Sequence, residues 1–315
     1  MNNSASLPWV NSRGIPRTRK FSQSYCLFLA GFALLIILWG AFVRISGSGD
    51  GCGDHWPLCH GNFVPNKTLE SIIEFLHRSS SGLFLCCSLA LPWLVARATP
   101  RRHLARSAAI IFVITVIIEA LIGALLVLAG LVADDASTLR AIVMSGHLVN
   151  TLLLFGSLIA CWGLLAFKVP QQQSQRLNAS VFILLFYYIV TAMFGAFAAL
   201  ASALFPAESL SAGLEMDLAA AAHAVLQLRA LHPVLGLGFI LVAFYFFSQR
   251  AKIPEQQFKL AMALIISHCF FGVITFLSLS PVWMKLVHLA SVELTWMYLI
   301  ALFIPLYFQE KLDPA

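Results

Sequence analysis

Eight apolar runs, each about as long as a bilayer is thick, leave little of this chain over for any other kind of structure. They fall at about 24–44, 71–97, 107–132, 140–167, 178–204, 222–248, 258–280 and 283–308 in a chain of 315 residues. Crossing about 30 Å of hydrocarbon takes roughly 20 residues of helix. Inside lipid every backbone N–H and C=O must find a partner within the protein, so apolar runs of this length predict helices. The chain is 60% hydrophobic and only 11% charged, which excludes a soluble globular domain and makes the lipid bilayer its solvent. The first run is too long for a signal peptide and has no small-residue cleavage site after it, so it is expected to be retained.

The net charge of +6 could point to nucleic acid, but the cations are distributed as a topology signal. Arg13, Arg17, Arg19, Lys20, Arg97, Arg101, Arg102, Arg106, Lys168, Arg176, Arg250, Lys252, Lys259 and Lys311 lie on one side of the runs; Arg44, Lys67, Arg140, Arg229 and Lys285 lie on the other. The richer side is expected to be cytoplasmic, which puts both termini there and removes nucleic acid as a partner.

The two halves repeat. Gly40-Ala41-Phe42 aligns with Gly195-Ala196-Phe197, and His77 with His232, both at an offset of 155 residues; Gly123 matches Gly272 at an offset of 149, and His147-Leu148 matches His288-Leu289 at 141. Four spans per half make a parallel repeat. The expected fold is therefore an all-α integral membrane protein of eight transmembrane helices arranged as two pseudo-symmetric four-helix bundles. Its expected parts are a cytoplasmic tail at 1–22, an N-terminal bundle at 23–170 with an outer loop at 45–70, and a C-terminal bundle at 171–315.

Of nine histidines, the repeat singles out His77, His147, His232 and His288. Each lies in an even-numbered span, roughly five to ten residues from its outer end, a depth of about 8–15 Å at 1.5 Å per residue. Two histidines at one height on facing helices can supply both axial ligands of a haem iron. Isolated membrane histidines are commonly packing residues or proton carriers; duplication at equal depth favours one haem-type site per half. His55, His60, His103, His223 and His268 have no histidine at the equivalent position and are read as ordinary residues, with His55 and His60 at the border of an outer site.

The halves differ chemically. Glu74 precedes His77 by three residues on the same helix face, and Arg78, four residues after Glu74, can pair with it; the second half has Arg229 where the first has Glu74. An acid in a span is costly and marks a candidate functional site, with a structural ion pair to Arg78 as the competing reading. Glu119 and Glu293 are further intramembrane acids of secondary rank. Cys52 and Cys59 sit in a glycine-rich outer loop, where spacing leaves open whether they are free thiols or a bridge. Cys26, Cys86, Cys87, Cys161 and Cys269 lie within spans and read as packing.

These motifs, Val43-Arg44-Ile45-Ser46-Gly47-Ser48-Gly49 with Gly51-Cys52, Trp56-Pro57-Leu58-Cys59-His60-Gly61, Glu74-Phe75-Leu76-His77-Arg78, His147, His232-Pro233 and His288-Leu289, resemble those of the haem A synthase family across nearly all eight spans. The resemblance implies an oxidoreductase that converts haem O to haem A by hydroxylating the C8 methyl group twice, the gem-diol then losing water to give the formyl group. It implies substrate haem between His77 and His147, with Glu74 catalytic and Arg78 in support, and a haem b held by His232 and His288. It also implies a Cys52–Cys59 disulfide, with haem O synthase and cytochrome oxidase assembly factors as partners. Some members carry a second cysteine pair in the equivalent loop of the other half, but residues 205–221 contain none, which departs from any mechanism needing two disulfides. The short leader points to a bacterial cytoplasmic membrane, and a homo-oligomeric state is left open. Two other functions compete: a bis-histidine cytochrome b carrying electrons between quinol and an outer partner, and a transporter whose histidines and acids relay protons.

Overall fold

The structure, a computed structural model, describes residues 16–133, 135–166, 179–219, 223–248 and 253–309. The expected boundary between halves at 170/171, and Arg13, Lys168, Arg176, Arg250, Lys252 and Lys311 of the charge pattern, lie outside the described residues. Ten α-helices are described: α1 (Arg17–Ile45), α2 (Leu69–Ala98), α3 (Leu104–Leu128), α4 (Thr138–Ala166), α5 (Ala179–Leu204), α6 (Leu210–Leu218), α7 (Ala224–Arg229), α8 (Leu231–Ser248), α9 (Glu255–Leu277) and α10 (Val282–Gln309). Counting α7 and α8 as one span, eight are long and apolar enough to cross a membrane, so the chain is a multi-pass membrane protein.

The helices run past the apolar windows because polar groups satisfy their ends. Helix α1 already includes Arg17 to Ser22, which the sequence had suggested as tail. Thr68 caps α2, accepting from the Ser71 N–H, and Glu70 in the first turn suits the positive end of the dipole. At the opposite side, Arg106 donates to the carbonyl oxygens of Ala96 and Thr99 at the end of α2, and Arg19 to those of Leu164 and Leu165 at the end of α4. Cations of the charge-rich side thus also satisfy helix C-termini.

Helices α1 to α4 pack as one group, with α1 touching both α2 and α4; α5, α8, α9 and α10 form the second, and α4 lies against α5 and α10. One large apolar core runs through both, from Cys26 and Leu29 to Leu302 and Phe303, and a smaller cluster joins Ala141 of α4, Phe197 and Leu200 of α5 and Val225 of α7. Lipid tails are as apolar as leucine, so close packing and hydrogen bonds must hold such helices together. At the seam, a Cβ on Gly156 would lie 3.5 Å from the Trp296 ring, and one on Gly163 3.0 Å from Ile304. Trp296 donates to the Leu152 carbonyl at 2.6 Å. These glycines, seven residues apart, let α10 approach α4 closely.

The second half departs from a plain copy. Its outer connection holds the extra helix α6, and the sixth span breaks at Ala230 into α7 and α8, with Pro233 removing one backbone donor early in α8.

Candidate functional site: two histidine pairs and an anchored loop

The four histidines occupy α2, α4, α8 and α10, all partly open, while the Nδ1 atoms of His77, His147 and His288 are enclosed and without a hydrogen-bond partner. The repeat recurs in their surroundings. A Cβ on Gly40 would meet the His77 ring at 2.8 Å, one on Gly195 the His232 ring at 3.0 Å, and one on Gly272 the His288 ring at 3.0 Å. A glycine on the preceding helix therefore gives each of these rings its room. Gly123, the counterpart of Gly272, has nothing within 4 Å, so His147 is placed by other means.

Those means are Glu119 on α3. Nδ1 of His147 stands 3.0 Å from Oε1 of Glu119, with the ring turned so that the N–H does not point straight at that oxygen. Thr151 Oγ1 donates to Oε1 at 2.6 Å, and Asn150 Nδ2 donates to Oε2. Every donor around this carboxylate comes from α4, within four residues of His147.

Glu74 is buried, at 3% exposure, with both oxygens engaged. Arg78 donates to Oε1 through Nη2 at 2.6 Å and Nε at 3.1 Å, and the Cys52 N–H donates to Oε2 at 2.8 Å. Arg78 also reaches the carbonyl oxygens of His55, Leu58 and Gly53. The pair anticipated from the i, i+4 spacing therefore exists and does more than neutralise itself: it fastens the outer loop to α2. Cys52 and Cys59 are joined in a disulfide, packed against Ser71, whose Oγ lies 3.1 Å from the Cys59 sulfur. Gly51 lies against the Glu70 backbone where a Cβ would collide with the carbonyl, so only glycine permits this approach. His60 bonds back to the Gly51 carbonyl at 3.0 Å, and His55 faces Asp54, which makes both loop residues.

In the second half no acid occupies the place of Glu74. Arg229 there donates to Asp217 of α6 through Nε at 2.8 Å, so the extra helix supplies the counter-ion. His232 Nδ1 lies 3.1 Å from the Thr191 carbonyl, a contact that fixes Nδ1–H and leaves Nε2 free. The His232 and His288 ring centroids are 6.2 Å apart, and His268 lies 6.4 Å from His288. His268, read from the sequence as an ordinary residue, stands next to this pair. The signal was in the repeat: the 149-residue offset that pairs Gly123 with Gly272 pairs Glu119 with His268.

The spacing of His232 and His288 fits a porphyrin iron. A metal–imidazole bond of about 2 Å on each side, plus about 1 Å from nitrogen to ring centre, puts two axial rings about 6 Å apart, the separation found between His232 and His288. Among the described residues no three His, Cys, Asp or Glu side chains gather as a free-metal site; two imidazoles suffice when the macrocycle supplies the other four ligands.

Known proteins are similar to this chain. The family model described as cytochrome oxidase assembly protein matches residues 23–72 and 66–300. A protoheme IX farnesyltransferase of Thermus thermophilus is 34% identical over 290 residues, covering 87% of this chain and 48% of that protein. A haem A synthase of Bacillus pumilus is 35% identical over 158 residues, 50% of this chain and 48% of that one. One from Symbiobacterium thermophilum is 51% identical over 67 residues, 21% of this chain and 22% of its own. The chain spans about half the length, or less, of these relatives. With a family match running through all eight spans, it belongs to the family of cytochrome oxidase assembly proteins that contains the haem A synthases.

Proposed function

We propose that this protein is a haem A synthase, an oxidoreductase that converts the C8 methyl group of haem O to the formyl group of haem A in a bacterial cytoplasmic membrane, with both termini on the cytoplasmic side. The observation that carries the reading is the asymmetry between two otherwise repeated histidine pairs: buried Glu74 precedes His77 on its helix, whereas Arg229 holds the matching place before His232.

In this reading the substrate haem lies between His77 and His147 in the N-terminal bundle, residues 23–170, and His232 and His288 hold a haem b in the C-terminal bundle, residues 171–315. A haem iron supplies one-electron redox chemistry in an apolar site. The chain's own part is to hold, orient and handle protons. His77 and His147 fix the height of the macrocycle and keep water from its faces. Oxidising a methyl group to a formyl group passes electrons to an acceptor outside this chain and releases protons where there is little water to take them; Glu74, three residues before His77, is the carboxylate that would accept them or favour positive character on the methyl carbon. Arg78 and the Cys52 amide hold that carboxylate, and with it the loop, over the outer end of the site. The Cys52–Cys59 disulfide keeps the loop in the shape that aims the amide.

The partners are a haem O synthase, which supplies the substrate, and the factors that assemble cytochrome oxidase. The similarity to a relative named for farnesyl transfer to protohaem supports the first. Extraction of pigment from the purified protein tests the reading. Haem b together with haem O or haem A is expected; haem b alone would make the protein a bis-histidine electron carrier, and no stoichiometric haem would favour a transporter.

A further inference from the structure

The two histidine pairs differ at a second place, which the proposed chemistry does not use. Glu119 lies beside His147 in the first half, and in the second half the equivalent residue is His268 beside His288. The residues that donate to Glu119 change with it: the 141-residue offset takes Asn150 to Ser291 and Thr151 to Val292. In the second half the hydroxyl of Ser291 turns back to the His288 carbonyl, and Val292 has no side-chain donor. A carboxylate that accepts from an amide and a hydroxyl thus stands beside His147, whereas the equivalent residue beside His288 is the imidazole of His268.

A carboxylate cradled by two neutral donors has no cation among its hydrogen-bond partners; the ionisable ring nearest to it is that of His147, at 3.0 Å, and its charge also reaches His77, across the same site, and the buried carboxyl of Glu293. A carboxylate 3.0 Å from Nδ1 favours the tautomer that carries its proton there, which leaves Nε2 as the nitrogen available to a metal. A carboxylate against the outer nitrogen of a ligating histidine also strengthens that histidine as a donor. A stronger donor stabilises the ferric over the ferrous form.

We infer that Glu119 is a positioning residue which orients His147 and makes it a stronger axial ligand than any in the second half, setting the midpoint potential of the first-half haem below that of the other. This rests on the assignment of the four histidines as haem ligands, and the first measurement separates the two ideas.

The test uses the full-length protein, purified with its haems and titrated potentiometrically in visible light, with electron paramagnetic resonance of the ferric state. Two low-spin haems per chain in the wild type establish the ligand assignment; their absence would overturn it, and this inference with it. Given two haems, Glu119→Gln, which keeps size and hydrogen bonding but removes the charge, should shift the ferric-to-ferrous equilibrium of the first-half haem about tenfold toward ferrous, a rise of about 59 mV for one electron. The second-half midpoint should stay where it was. Glu119→Asp, which restores the charge, should recover most of the wild-type potential. Loss of the first-half haem in Glu119→Gln with retention in Glu119→Asp would also fit a charged anchor for His147. An unchanged midpoint in Glu119→Gln, equal shifts in the Gln and Asp variants, or loss of haem from both would overturn the inference.

Discussion

Glu74→Gln should abolish haem A formation while leaving both haem sites filled. A positioned proton-transfer group contributes about 10²–10⁴-fold to rate, so conversion of haem O should fall by at least two orders of magnitude when products are measured by chromatography. The choice of glutamine matters because Glu74 has a structural task as well. Truncation to alanine would leave the Arg78 guanidinium buried without its carboxylate, and breaking a buried pair costs about 3–5 kcal/mol. Glutamine retains an oxygen for the Cys52 N–H or for Arg78, which in any case keeps the carbonyl oxygens of His55, Leu58 and Gly53. A variant that stays folded, binds haem and makes no haem A assigns Glu74 to the chemistry. Undiminished synthesis would leave it as the fastener of the outer loop alone.

The second large effect is expected in the other half. His232→Ala or His288→Ala should each remove the resident haem b, lowering the haem content from two per chain to one and abolishing the low-spin signal of that site. The rings stand 6.2 Å apart, and among the described residues His268 is a further imidazole, 6.4 Å from His288. For that reason His232→Ala is the cleaner variant, since His288→Ala leaves an imidazole nearby that can rescue partial binding. A ligand present at 1,000 times its dissociation constant contributes about 4 kcal/mol to the folded state, so loss of haem should also lower thermal stability. Unchanged spectra in both variants would show that the second pair does not ligate a haem.

Much of this architecture is legible in the sequence because lipid allows few alternatives. Eight runs of sufficient length become eight spans, and the charge pattern contains residues that later prove to cap helices, as Arg19 and Arg106 do. Helix ends are less legible. Hydropathy fades where the hydrocarbon stops, whereas α1 continues back to Arg17 because its polar side chains have partners beyond the apolar zone. Helix α6 is too short and too polar to register in a hydropathy scan, yet it exists to carry Asp217 to Arg229. The break at Ala230 falls between Arg229 and His232-Pro233, inside a run whose mean hydropathy still reads as one span.

The site shows the same division. The histidine pairs could be found because they repeat, and Glu74 with Arg78 because four residues make one helical turn. Glu119 stood out only as an acid in a span, since its partners are on another helix and no local pattern connects α3 to α4. His268 was passed over because a repeat searched for identical residues misses a position where the residue type has changed. Glu119 and His268 are a pair of non-identical residues at one equivalent place, where the two halves of the repeat differ in chemistry.

The central claim is that the first half carries out chemistry on its haem while the second half only holds one. Its most direct measurement is to express this chain with a haem O synthase in a host that makes no haem A of its own, and to identify the extracted haems by chromatography and mass. Haem A, with the mass of a formyl group replacing the C8 methyl, is expected in cells carrying both proteins and not in cells carrying the haem O synthase alone. Haem O accumulating unchanged beside a folded, haem-loaded protein would contradict that claim.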